Sequence, residues 1–285
     1  MPISLDDVLY GFLAPAAAAM TVVLLVRRCL AADVGSRHAP SLALATGFCV
    51  GYWLLGLGPV SPQGHWHWLP YAVVLAAIIG PVVSVEGTRS GERLVVFALI
   101  AFVAAWQLVP NWRDVEPPRH IQIPIWVTIV AVSALLFETS TKANTDPLMP
   151  AILLCVCIAA AMVMVLAGSG RFGQIAITGA GAIAGIGLSA VFSKQPVSLS
   201  GMTLAYFVFL CGLMWAGFTN SYSDVPFLSY VLVPLSPIVY ALCRFEPLSR
   251  FVGPGRDRVR AALSLAPSAI AVLLAMLNSE FGGIG

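Results

Sequence analysis

Gly173–Ser193 reads GQIAITGAGAIAGIGLSAVFS, a stretch long enough to cross a bilayer and without a charged residue. Small residues recur along it at four-residue spacing. Ala176, Ala180 and Ala184 fall on one line, and Gly181, Gly185 and Ser189 on the next. A helix with such ridges gains little by facing lipid. It gains by letting neighbouring backbones approach closely, which is how helices associate where no water drives them together. The stretch is therefore expected at the centre of a helical membrane bundle. Gly179, Gly181 and Gly185 also approximate a dinucleotide-binding fingerprint. That motif needs a preceding strand, a glycine turn opening a helix and an acid about twenty residues on. Here the glycines sit inside an apolar run and no acid follows at that distance. No cofactor is implied.

The composition around this stretch is of the same kind. Hydrophobic residues make up 59% of the 285-residue chain and charged residues 10%, against about 25% charged in an ordinary soluble domain. The net charge of +2 provides no surface for nucleic acid. Cys49, Cys155, Cys157 and Cys211 lie inside apolar runs, and Cys29 and Cys243 lie beside arginines. That is neither a disulfide framework nor a metal-ligand spacing, so reduced packing residues are expected.

Ten apolar runs are long enough to span: 9–26, 40–58, 68–85, 94–110, 121–137, 148–168, 174–193, 201–218, 226–243 and 261–277. The first follows Asp6 and Asp7 and precedes Arg27 and Arg28, the reverse of a cleaved signal peptide. An outward N-terminus then puts twelve basic residues in inner loops: Arg27, Arg28, Arg37, Arg89, Arg93, Lys142, Lys194, Arg244, Arg250, Arg256, Arg258 and Arg260. Only Arg113, Arg119 and Arg171 fall outside. Such a split fits the positive-inside rule. Tryptophans 53, 66, 68, 106, 112, 126 and 215 all fall at the outer side, as an interfacial belt requires. The expectation is an all-α polytopic membrane protein of about ten transmembrane helices, a single domain over residues 1–285. Both termini lie outside, and a bacterial inner membrane is the expected setting.

Residues 1–142 and 143–285 can be read as two inverted five-helix halves. Phe12-Leu13-Ala14-Pro15-Ala16 matches Pro147-Leu148-Met149-Pro150-Ala151, and Gly47-x-x-x-Gly51 matches Gly181-x-x-x-Gly185. Inverted halves of this kind recur in transporters, with the site where they meet. The competing explanation is chance, since Gly and Ala are common in spans.

Candidate sites follow from these runs. The ninth, Val233-Pro234-Leu235-Ser236-Pro237-Ile238, carries two prolines that each remove a backbone donor. Broken helices survive at membrane depth where protein or a cavity surrounds them. A substrate path would draw on Thr46, Gly47, Gly51, Thr178, Gly181, Gly185, Pro234, Ser236 and Pro237. A bent structural helix is the bland alternative. Arg244, Arg250, Arg256, Arg258 and Arg260 form a basic stretch suited to anionic lipid headgroups or a membrane partner, and equally to setting topology. His65 and His67, with His120 near Asp114 and Glu116, could ligate a metal if the loops met. The adjacent tryptophans favour an interfacial anchor instead, and no metal site is expected. Glu86, Glu138, Asp224 and Glu280 stand at span ends, where surface solvation is expected. No nucleophile with a partnered base is evident, so no catalytic residue is assigned and the reading leans away from an enzyme.

The leading functional expectation is a carrier or channel for a neutral or apolar small molecule. The alternatives are a structural or assembly subunit of a larger membrane complex, and an intramembrane lipid-modifying enzyme. The expected partners are the bilayer, other membrane proteins or further copies of the chain, and not nucleic acid.

Overall fold

The computed structural model describes residues 5–85, 87–112, 117–142, 148–193, 198–221, 223–244 and 257–281. They form an all-helical bundle in which each of the ten apolar runs becomes a helix. These are α1 (Leu5–Cys29), α2 (Ala32–Leu54), α3 (Leu69–Val83), α4 (Ser90–Leu108) and α5 (Arg119–Lys142). The second half supplies α6 (Met149–Leu166), α7 (Gly170–Ser193), α8 (Thr203–Asn220), α9 (Phe227–Leu242) and α10 (Asp257–Phe281). Short 3-10 turns, His65–Trp68 and Ser200–Met202, lead into α3 and α8. Eight helical stretches among the described residues are long and apolar enough to cross a membrane. The other two helices are α2, which carries Arg37 and His38 in its second turn, and α9, which has 16 residues.

Successive helices run up and down. Gly181 and Gly185 of α7 meet Phe12 and Ala16 of α1 in the same order, so these two run parallel. Gly47 and Gly51 of α2 meet Ala182 and Thr178 in reverse order. One end of the bundle thus gathers the starts of odd-numbered helices and the ends of even ones. It holds Trp66, Trp106 and Trp112 and is called the tryptophan end below; the opposite, arginine end holds Arg27, Arg93 and Arg244.

Local chemistry explains how the helices stop and bend. α2 and α6 end in paired reverse bonds, Leu57 N–H to Tyr52 C=O and Gly56 N–H to Trp53 C=O in one, and Ser169 N–H to Met164 C=O and Gly168 N–H to Val165 C=O in the other. That arrangement needs a left-handed residue at the turn, supplied by Gly56 (φ 61°) and Gly168 (φ 76°). In α1, Leu9–Leu13 winds as a π-helix immediately before Pro15. The proline ring would otherwise press on the carbonyl one turn back, and the wider turn makes room.

The centre of the bundle corrects one sequence expectation. It is α8 that lies innermost: 89% of its membrane-length stretch is buried, against 61% for Gly170–Ser193. Leu204 through Leu210 are completely buried, including Tyr206, Phe207 and Phe209. A helix apolar on every side belongs in the interior, and the bulky side chains of α8 fill the middle. α7 lies beside it, against α1, α2 and α6. The two halves are also packed differently. α6 lies against α7, α9 and α10, whereas α1 lies against α2 and α7; α8 is central while α3 is half-buried. This asymmetry gives the inverted-repeat reading no support.

Candidate functional site

The glycines of the expected substrate path form a close-packed seam. A Cβ on Gly181 would overlap the Phe12 carbonyl, and one on Gly185 the Ala16 carbonyl. A Cβ on Gly47 would lie 2.8 Å from the Pro15 carbonyl oxygen, and one on Gly51 2.7 Å from Thr178 Cγ2. Thr178 is fully buried and spends its hydroxyl on the Ile175 carbonyl at 2.7 Å. Thr46 turns outward. It borders a shallow groove with Leu42, Cys49, Trp53 and Ile78. These residues thus join α1, α2 and α7 as small residues join helices in lipid.

The proline-bearing helix gives a different picture. Pro234, Ser236 and Pro237 are buried in α9, which packs on α5, α6, α8 and α10 rather than on α2 or α7. Ser236 Oγ lies 2.6 Å from Ser268 Oγ and accepts the Ser268 N–H at 3.0 Å. Ser268 follows Pro267, so the turn that this proline opens in α10 is closed by a hydroxyl from the neighbouring broken helix. On its other side α9 borders an apolar chamber of about 140 Å³ shared with α5 and α8 and open on one side to the outer face of the bundle, where Ile125, Ile129 and Phe227 are exposed. Trp126, Ile129, Met214, Trp215, Tyr230 and Pro234 are among its walls. Trp126 is 2% exposed, and its indole N–H has no hydrogen-bond partner. The Trp215 indole N–H on the same lining is likewise without a partner, and a mostly apolar site with such idle donors suits an apolar molecule bearing an acceptor oxygen.

A second concavity, about 560 Å³ and open to the surface, lies at the tryptophan end. His65, Trp66, Trp106, Gln107, Trp112 and Asn220 line it with Arg119. His65 Nε2 is 3.0 Å from Asn220 Nδ2, and its ring meets Trp112 edge-on at 5.1 Å. The Arg119 guanidinium lies over Trp106 at 4.8 Å and donates to the Trp106 carbonyl. His67 accepts the Gly64 N–H at 3.0 Å. His120 is exposed at the start of α5. Asp114 and Glu116 lie outside the described residues, among which no group of three ligand-type side chains is gathered. Through these bonds His65 ties the loop to α8, and His67 ties it to its own backbone.

The feature that the sequence reading missed is an ion pair. Glu138 was expected at a solvated span end, but it is completely buried, with Oε1 3.7 Å from Arg93 Nη1. Arg93 is 7% exposed and also donates to the Val85 carbonyl at 2.9 Å. The cause is helical periodicity. Arg93, Phe97, Ile100, Ala101, Ala104 and Leu108 form the buried stripe of α4, so its first turn faces inward as well. α5 continues to Lys142, and Glu138 lies one turn beyond the buried Ala134. Extending each stripe past its apolar run would have found both residues. Asp224 is exposed, as expected. Glu86 and the Glu280 side chain lie outside the described residues.

Of the basic stretch, Arg244 lies over the Tyr240 ring at 4.8 Å, Arg260 pairs with Asp257 at 3.3 Å, and Arg258 is exposed. Arg250 and Arg256 lie outside the described residues. Comparison of the chain with family models, with curated proteins and with solved structures finds no match.

Proposed function

We propose that this chain is a membrane carrier for an apolar or neutral small molecule. It crosses a bilayer ten times, with the tryptophan end and both termini outside and the arginine end in the cytoplasm. The observation that carries the reading is the apolar chamber between α5, α8 and α9, set against the stretch of α9 that Pro234 and Pro237 deprive of backbone donors. Concave apolar sites with few polar groups are where small ligands bind, and irregular helices at membrane depth line such sites. The polar concavity at the tryptophan end gives the solute a place to shed water. The gathering of basic residues at the other end supports the orientation and a bacterial cytoplasmic membrane as the setting.

Uptake by reconstituted vesicles tests the reading. A panel of labelled neutral solutes should include at least one that enters faster than into protein-free vesicles, and Val231→Trp, which fills the chamber, should abolish the difference. Uptake equal to that of protein-free vesicles across the panel would remove the carrier reading. The subunit alternative draws on a shallow apolar groove between α6 and α10, lined by Cys155, Met162, Leu265, Val272 and Met276, which has the form of a seat for a partner's helix.

A further inference from the structure

We infer that Arg93 and Glu138 form the latch that closes the carrier at its arginine end. The inference rests on the carrier reading and deepens it. α5 contributes to both features. Ile125, Trp126 and Ile129 wall the chamber, and Glu138 lies nine residues beyond Ile129, about 14 Å along the helix axis at 1.5 Å per residue. α4 supplies none of the chamber wall but holds Arg93, anchored in turn to the Val85 carbonyl. The pair therefore ties the far end of the chamber's wall to a neighbour that is not part of the chamber.

The energetics suit a switch. Burying two charges carries a large desolvation penalty that their attraction only roughly repays, and their 3.7 Å separation is longer than a good hydrogen bond. If the ends of α4 and α5 part, water enters and both ions regain hydration. The closed, dry pair and the open, hydrated pair are then close in free energy, as a two-state element requires. An apolar contact at the same place would give no such balance, because wetting it is only unfavourable. Ser140 and Thr141 donate to the Phe137 and Glu138 carbonyls of their own helix. Among the other basic groups at this end, Arg89 is exposed one turn before Arg93, Arg27 lies in the last turn of α1, Lys142 lies one turn on along α5, and Arg244 at the end of α9 lies over Tyr240.

Thiol accessibility gives the test. Ala134, fully buried one turn from Glu138, is replaced by Cys in the full chain held in nanodiscs. Its labelling by a charged maleimide is then timed and located by mass spectrometry. Glu138→Gln leaves Arg93 buried without its anion and should raise the rate about tenfold by favouring the hydrated state. The charge swap, Arg93→Glu with Glu138→Arg, should return the rate to near that of the parent. Arg93→Met with Glu138→Leu should label more slowly than the parent, because the apolar pair resists wetting. Gel filtration and helical circular dichroism check the fold. If Glu138→Gln does not fold, the Met/Leu variant still decides the matter. The latch is overturned if folded Glu138→Gln labels at the parental rate, or if the Met/Leu variant labels as fast as the parent or faster. Labelling needs no solute, so a failed uptake assay with this pattern intact would discard the carrier reading and leave the moving ion pair.

Discussion

Ser236 on α9 and Ser268 on α10 hold their hydroxyl oxygens 2.6 Å apart, and Ser236 also receives the Ser268 N–H. Each hydroxyl lies beside a proline, Pro237 or Pro267, that removes a helical donor. The two breaks therefore stabilise one another. Ser236→Ala leaves the Ser268 N–H buried without an acceptor, at a cost of about 1–3 kcal/mol. Ser268→Ala keeps that N–H and loses only the hydroxyl contact, so it should cost less, about 1 kcal/mol. Thermal unfolding in detergent should rank the variants Ser236→Ala below Ser268→Ala below the parent. The reverse order would mean that the backbone bond does not matter.

The α1–α2–α7 seam predicts a sharp difference between glycines. A methyl group on Gly185 would overlap the Ala16 carbonyl, a backbone atom that moves only if α1 moves. Gly185→Ala should cost about 3 kcal/mol or more. Gly91, in the first turn of α4, has open space around its would-be Cβ. Gly91→Ala should be neutral or stabilise by up to about 1 kcal/mol through the unfolded chain. The same geometry decides how copurification with a partner should be tested. Gly181 and Gly185 face α1 of their own chain, so replacing them disrupts the fold rather than a docking face.

Much of the fold was legible, and the reasons are physical. A run of apolar residues must become a helix at membrane depth because only a helix satisfies its own backbone there. All ten runs are helical, eight of the helical stretches are long and apolar enough to cross a membrane, and the close-packing role of Gly181 and Gly185 is legible in their spacing. What spacing could not give was which helix lies innermost. Small residues mark close neighbours, not the centre, and α8 reaches the centre through aromatic bulk on every side. The candidate path residues are distributed over separate places in the bundle. Pro234 borders the chamber, Thr46 borders the groove beside Trp53, and Gly47 and Thr178 lie in the α1–α2–α7 seam, a distribution set by tertiary neighbours that the chain order does not reveal. Arg93 and Glu138 were missed for a simpler reason. A charge does not mark the end of burial when the helical stripe continues through it, as it does at both residues.

A coupled pair in the core tests the packing of α7 against α8. A Cβ on Gly179 would strike the Phe209 ring, which also meets Phe48 edge-on at 4.9 Å. Gly179→Ala alone should destabilise by about 1–3 kcal/mol through overpacking. Phe209→Leu alone should also destabilise, by leaving space beside Phe48. The double variant lets the new methyl occupy part of that space, so the costs should fall short of additive by about 1 kcal/mol or more. Denaturation of the four proteins measures the coupling, and strict additivity would show that Phe209 turns away without cost.

Orientation is the last prediction, and it follows from the two unlike ends of the bundle. Ser61 lies in the exposed loop before α3, at the tryptophan end, and Arg89 is exposed at the arginine end just before α4. Moving arginines across a membrane during insertion is costly, so the basic end should stay in the cytoplasm. In intact expressing cells, a membrane-impermeant thiol reagent should label Ser61→Cys and spare Arg89→Cys until the cells are opened. The native exposed cysteines provide an internal control. Cys29 is at the arginine end of α1 and should be protected, whereas Cys155 faces outward from the body of α6 and should be shielded by lipid in both conditions. Labelling of Arg89→Cys in intact cells would invert the whole topology. The concavity around His65 and Trp106 would then face the cytoplasm, and the latch at Arg93 and Glu138 would guard the outside.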